Sequence, residues 1–244
     1  MEEKIRFQTK AGISLMGKWH TGAEKEKCCC ILCHGFFSDK DNILFQNLQK
    51  RLEVEKIDSF AFDFRSYGES EGKKIKLGIS DEVEDLEAAF QWIEDKKYKK
   101  IILFGEGMGA SIVSLFLKEK SKKVKKVVLW NPLLDFSEAF IRPILKANKE
   151  QHIIQTVKEK GFIKITENKQ EITISKKFFE EVGKLIPWKE LIDAKCQVVF
   201  IQPKENACNS QEQIRKCYQM CKKASFITLD KENPEKVIEK VMKK

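Results

Sequence analysis

Short apolar runs alternate with amphipathic stretches from residue 28 to residue 130, and this rhythm limits the fold more than any other feature of the chain. The runs are 28–33, 59–64, 101–104 and 127–130. Between them Ile43, Leu44, Leu48 and Leu52 repeat at helical spacing over 42–55. Val83, Leu86, Phe90 and Ile93 do so over 80–95, with Ser80 and Asp81 as the expected cap. A third helix is expected to follow residue 107 and run to about Lys118. A connection that contains a helix returns the chain to the edge it left, so the next strand pairs in parallel. The pattern therefore predicts an α/β fold, a mostly parallel twisted sheet with helices on both faces. An N-terminal hairpin, 4–9 with 13–20 around a turn at 10–12, precedes it.

The rhythm breaks after Asn131. A helical stretch over 133–147 is interrupted by Pro143. Segments 162–165 and 171–174 alternate apolar and polar residues about a turn at 167–170, the pattern of a β-hairpin. A helix over 176–185 is expected to end at Pro187. The sheet pattern then resumes with a strand over 197–202, a helix over 210–222, a strand over 225–229 and a last helix from about Asn233. The expected organisation is a core of 1–131 and 196–244, with 132–195 inserted as a small cap. The insertion follows a strand, so it leaves from the C-terminal edge of the sheet, where open α/β folds bind ligands.

Of the 244 residues, 46 are Lys or Arg and 37 Asp or Glu, a net charge of +9. The lysines gather at 96–100, 118–126 and 222–223, each just before a strand. They read as helix C-termini, where cations complement the helix dipole. No binding motif with aromatic or glycine-rich segments accompanies them, so no nucleic-acid partner is expected. No apolar run approaches the ~20 residues of a membrane span, and residues 1–10 are charged, so a cytoplasmic protein is expected. Cys28, Cys29, Cys30 and Cys33 crowd one strand, where neighbours point to opposite faces, and read as small buried hydrophobes. Cys217 and Cys221 share a helix face, but their spacing to Cys196 and Cys208 is irregular and no histidine follows His152. Neither a metal site nor a cofactor is expected.

Three turns carry the chemistry. Strand 28–33 ends in His34-Gly35-Phe36. Strand 59–64 ends in the sequence Asp63-Phe64-Arg65-Ser66-Tyr67-Gly68-Glu69-Ser70. Strand 101–104 ends in Gly105-Glu106-Gly107-Met108-Gly109. The last is a G-x-S-x-G strand-to-helix turn in all but its middle residue. These three turns in register, with an insertion after the following strand, resemble the α/β-hydrolase superfamily along nearly the whole chain. The nearest resemblance is to small acyl-ester hydrolases with a helix-plus-hairpin cap, such as cinnamoyl and feruloyl esterases. Serine-aminopeptidase-like and monoacylglycerol-lipase-like proteins come next.

The resemblance implies a Ser–Asp/Glu–His triad in that chain order. The serine position falls on Gly107. The acid position falls on Asn206, with Glu205 beside it, and the histidine position on Asn233. All three would then be degenerate. A serine hydroxyl needs a base, and the base an orienting acid, so a chain lacking them is expected to be inactive as a serine hydrolase. The resemblance also implies that the backbone N–H groups of Phe36 and Met108 are the oxyanion donors. Gly35 and Glu106 complete the expected ligand-binding set.

Other side chains have plainer readings. His34 is expected to hold the oxyanion loop, and His20 and His152 to lie at the surface, His20 on an edge strand. Asp63 and Arg65 read as a loop-bracing pair, Glu106 as a solvated or helix-capping carboxylate, and Cys208 as an unreactive thiol. Phe162, Phe178, Phe179 and Trp188 suit either a pocket lining or the cap's own core. The sequence thus points to a pseudo-hydrolase that binds a small carboxylate or ester, or to an interaction module for a protein partner. The alternative is an ester hydrolase with weak or non-standard catalysis through Glu205, Asp230 or Glu232.

Overall fold

In the computed structural model, residues 1–21, 28–136, 138, 150–167, 170–204, 210–229 and 241 are described. Strands β1 (Glu2–Gln8), β2 (Ser14–His20), β3 (Cys28–Cys33), β4 (Asp58–Phe62), β5 (Lys100–Glu106), β6 (Lys126–Trp130), β9 (Gln197–Pro203) and β10 (Ala224–Leu229) form one sheet. Its order is β1-β2-β4-β3-β5-β6-β9-β10. The β1/β2 and β2/β4 pairs are antiparallel, and every pair from β4 to β10 is parallel. The helices are α1 (Ile43–Val54), α2 (Ile79–Asp95), α3 (Met108–Lys120), α4 (Glu150–Lys160), α5 (Lys176–Val182), α6 (Pro187–Ile192) and α7 (Gln211–Met220). Strands β7 (Phe162–Glu167) and β8 (Gln170–Ser175) pair antiparallel as a separate two-stranded sheet.

The central strands β3, β4, β5, β6 and β9 are buried on both faces, which is why their sequences read as continuous apolar runs. One face carries Cys29, Ile31, Cys33, Phe60, Phe62, Leu103 and Val127 against α2 and α3. The other carries Cys30, Leu32, Ala61, Phe104 and Val128 against Phe45, Leu48 and Leu52 of α1. The crowded cysteines divide between the two faces as buried thiols outside any disulfide. Burial pushes the Cys29, Cys30 and Cys33 thiols well up. Among the described residues no helix is long and apolar enough to cross a membrane.

Several expectations are corrected. Strand β4 ends at Phe62, so Asp63 and Phe64 belong to the loop. The N-cap of α2 is Gly78, whose N–H donates to Asp81 Oδ2 at 2.8 Å, rather than Ser80. Pro187 opens α6 instead of closing a helix, since its missing N–H costs nothing in the first turn. His20 lies on the second strand and not the edge, half-buried with Nε2 3.1 Å from Glu53. Lys97, Lys99, Lys122, Lys125 and Lys223 lie beyond the ends of α2, α3 and α7, in the connecting turns. Residues 133–135 are not helical. Residues 139–149, with the rest of that expected helix, and the terminal helix from Asn233 lie outside the described residues.

Candidate functional site

The turn after β5 is held by sterics on both sides. A Cβ on Gly105 would sit 2.6 Å from Ala110 Cα and 2.7 Å from the Gly109 carbonyl oxygen. One on Gly109 would overlap the Cys33 carbonyl and lie 2.5 Å from that of His34. Helix α3 therefore rests directly on the ends of β3 and β5, and only glycine lets it approach. Gly107 differs. Its backbone has φ +53° and ψ −112°, a region that favours glycine. Yet a Cβ there would meet only Gly35 Cα, at 3.9 Å. The backbone around it is pinned, with Gly107 N–H donating to Trp130 O at 3.0 Å and Leu133 N–H donating to Gly107 O at 3.2 Å.

The loop after β3 lies against this turn. His34 is buried, its Nδ1 2.8 Å from Gly35 O and its Nε2 accepting from Phe64 N–H at 3.1 Å. An acceptor Nε2 places the ring proton on Nδ1, so both nitrogens are used. Burial lowers the His34 pKa, which keeps the ring neutral. Glu106 is half-buried rather than fully solvated. Its carboxylate accepts the Gly35 N–H and lies 3.5 Å from Asn42 Nδ2, at the N-cap of α1. Burial raises its pKa against the pull of that Gly35 bond. Phe36 packs edge-on against Phe37, Tyr67 and Phe178.

Asp63 and Arg65 do brace loops, but not each other. Asp63 accepts from Lys40 N–H at 2.8 Å, Lys40 Nζ at 2.9 Å and Glu69 N–H at 2.9 Å. Burial acts against the Lys40 charge, but the carboxylates of Glu69, Asp63 and Asp41 outweigh it and raise the Lys40 pKa. Arg65 turns to α2. Its Nε donates to Asp85 Oδ1 at 2.7 Å, and its terminal nitrogens reach Asp81 at 3.2 Å and Glu84 at 2.7 Å. Burial pushes Asp85 up to about 6 despite Arg65. Burial, reinforced by the charge of Asp85, raises Glu82 well above the usual carboxylate range.

The segment between β6 and β9 docks on this frame. Ser175 Oγ donates to Leu77 O at 2.5 Å, and Glu181 accepts from Ser80 N–H at 3.0 Å and Ser80 Oγ at 2.6 Å. Lys177 pairs with Asp81 at 2.7 Å. Beneath this contact Phe36, Phe37, Tyr67, Leu77, Ser175 and Phe178 enclose a cavity of about 30 Å³, room for about one water. The aromatic residues of the segment do not converge on one pocket. Phe179 faces a cavity of about 300 Å³ with Ile153 and Val157, and Trp188 one of about 240 Å³ with Leu134, Ile214 and Cys217.

Gly35, Phe36, Glu106, Gly107 and Met108 are thus contiguous, while Asn206 and Asn233, with Glu205, Cys208, Asp230 and Glu232, lie outside the described residues. Sequence reasoning missed Lys40, Glu82, Asp85 and Glu181. A signal existed for two of them. Glu82 and Asp85 fall on the same stripe as Leu86, Ala89, Phe90 and Ile93, so two carboxylates continue the buried face of α2.

With this geometry in hand, relatives can be placed. The family model described as "Serine aminopeptidase, S33" matches residues 24–198, more than half of the chain. The chain belongs to this α/β-hydrolase family. A Mycoplasma pneumoniae protein assigned as an esterase/lipase is 29% identical over 104 residues, spanning 42% of this chain and 37% of that protein. The chain thus matches well under half the length of that relative. Among solved structures, a Pyrococcus furiosus esterase superposes with TM-score 0.74 at 20% identity, over 99% of this chain and 88% of that one. A Butyrivibrio proteoclasticus protein with bound ferulic acid superposes with TM-score 0.80 at 12% identity, over 98% and 97%. At such identities these structures establish the α/β-hydrolase fold alone.

Proposed function

We propose that this S33-family chain is a pseudo-hydrolase, which keeps the binding frame of an esterase-like site without its nucleophile, and that it binds a small carboxylate or ester. The observation that carries the proposal is Gly107. It holds a left-handed backbone that suits glycine, with open space where a side chain would stand, and it supplies no oxygen or sulfur. Of the three histidines, His34 has both ring nitrogens engaged, and none follows His152 in the sequence. On this reading 132–195 acts as a cap over the site, and the first N–H groups of α3, near Met108, face the ligand as an anion-favouring helix N-terminus together with Phe36.

The test is a thermal-shift series with aryl and acyl carboxylates and non-hydrolysable esters, beside a fluorophosphonate probe. A true ligand at about 100 times its Kd stabilises by about 2.7 kcal/mol, which for a domain of this size is a shift of about 5–10 °C. The probe is expected to leave the protein unlabelled. Purified protein that turns over nitrophenyl esters, and loses that turnover on Glu205→Gln, establishes non-standard catalysis in place of this reading. Silence from every ligand removes the binding half of the proposal.

A further inference from the structure

The lysines that the sequence assigns to helix ends form something else in three dimensions. Lys97 and Lys99 precede β5, Lys122 and Lys125 precede β6, Lys195 precedes β9 and Lys223 precedes β10. These four strands are consecutive neighbours in the sheet and parallel. Their entry points are level, because Lys125 N–H donates to Ile101 O at 2.8 Å and Val198 N–H donates to Lys223 O at 2.9 Å. Lys223 Nζ reaches Lys195 O at 3.4 Å. With strands spaced ~4.8 Å apart, the row is about 15 Å long. It lies at the N-terminal edge of the parallel strands, opposite the Gly107 turn.

The helix dipole does not account for this row, since its effect fades within the last turn and these residues lie beyond it. Acidic groups offset the row only in part: Asp193 also interacts with Lys195, and Asp95 stands exposed at the end of α2. Glu94 pairs with Lys123 and Asp193 with Lys222, each at 2.7 Å, and Glu55 pairs with Arg51. The six lysines of the row are exposed and have no carboxylate within ion-pair distance among the described residues. Two large apolar side chains stand exposed at the same edge, Val54 at the end of α1 and Met220 at the end of α7, at 67% and 49%.

We propose that this edge docks on a bilayer surface rich in anionic phospholipid. A membrane is broad and flat, and it is attracted by lysines that share one level without needing a groove. The row holds no arginine to fork onto single phosphates; its one aromatic, Tyr98, packs edge-on against Trp19 with its hydroxyl on Asp58, and Trp92 is covered by Lys96 Nζ at 4.1 Å from its ring centroid. Both features disfavour nucleic acid, which is gripped by grooves, arginine forks and stacked rings. Val54 and Met220 add apolar contact at headgroup depth. In this orientation the Gly107 turn faces away from the bilayer, so docking leaves the binding site open to water.

The experiment is co-sedimentation with vesicles of phosphatidylcholine alone or mixed with phosphatidylserine. Binding is expected only to the mixed vesicles, with release at high salt. Combined reversal of Lys97, Lys99, Lys122 and Lys125 to Glu is expected to weaken it at least about tenfold. The same change in net charge at Lys10, Lys73, Lys74 and Lys76, at the other edge, is expected to shift it by less than about twofold. A milder series with Gln at the first four positions guards against misfolding, with circular dichroism as the check. Equal binding to phosphatidylcholine, equal loss in both charge-reversal variants, failure to bind either vesicle, or tighter capture by duplex or single-stranded nucleic acid at the same salt would each overturn the proposal.

Discussion

The Gly107 turn and the two loops beside it lie together at one end of the sheet, yet they differ in what holds them. The loops at 34–42 and 63–72 are cross-braced, with Asp63 clamping Lys40 and Glu69, and His34 joining Gly35 to Phe64. Gly105 and Gly109 are equally fixed, by the close approach of α3. At Gly107, in the centre, the backbone is held by Trp130 and Leu133, but a side chain would touch almost nothing. Residues that serve both packing and chemistry remain whatever becomes of the chemistry, because their loss unfolds the protein. A residue that serves chemistry alone stands in open space. An intact frame is therefore weak evidence of activity, and the position in the turn whose side-chain space is open carries more information.

The strongest challenge to this contrast is Gly109→Ala. Its methyl would meet two backbone carbonyls, and the expected loss is about 4 kcal/mol or more in urea unfolding, with little folded protein at ambient temperature. A mild effect would mean that the frame is not sterically fixed. Asp63→Ala should come next, at about 3 kcal/mol, because it removes three bonds and thins the carboxylate shell of the buried Lys40. Gly107→Ser fits the space and meets only backbone strain, about 1–3 kcal/mol. It should stay folded and unlabelled by fluorophosphonate. Labelling would reveal a working base beside the turn and break the pseudo-hydrolase reading.

The smallest effect concerns pH. The folded pKa of Glu82 lies above its ordinary value, so between the two values the folded state keeps a proton that the unfolded state releases. Stability then falls as pH rises through that window, and Asp85 acts in the same direction up to about 6. Glu82→Gln mimics the protonated acid. It should flatten the slope and stabilise the protein at pH 8 relative to pH 5. Unfolding curves at the two pH values measure it. An unchanged slope would show that Glu82 is ionised where it stands.

The parallel sheet was legible because its strands are buried on both faces and separated by periodic helices. The turn at 105–109 was legible because small residues at alternate positions mark a close approach. Lys40 was not, since beside its neighbour Asp41 its carboxylate partners, Asp63 and Glu69, come from another loop and no local pattern announces them. Glu82 and Asp85 left only a faint trace, two acids on an apolar stripe.

By itself the sequence determined that no hydroxyl or thiol stands at position 107 and that no histidine follows His152, because composition is local and absolute. That a side chain at position 107 would stand in open space while Gly105 and Gly109 are fixed, where Glu106 points, and that lysines from four segments share one edge were decided only by the tertiary structure. Each depends on distances between residues far apart in the chain, and burial and charge pairing, which set the chemistry of a side chain, exist only once those distances are fixed.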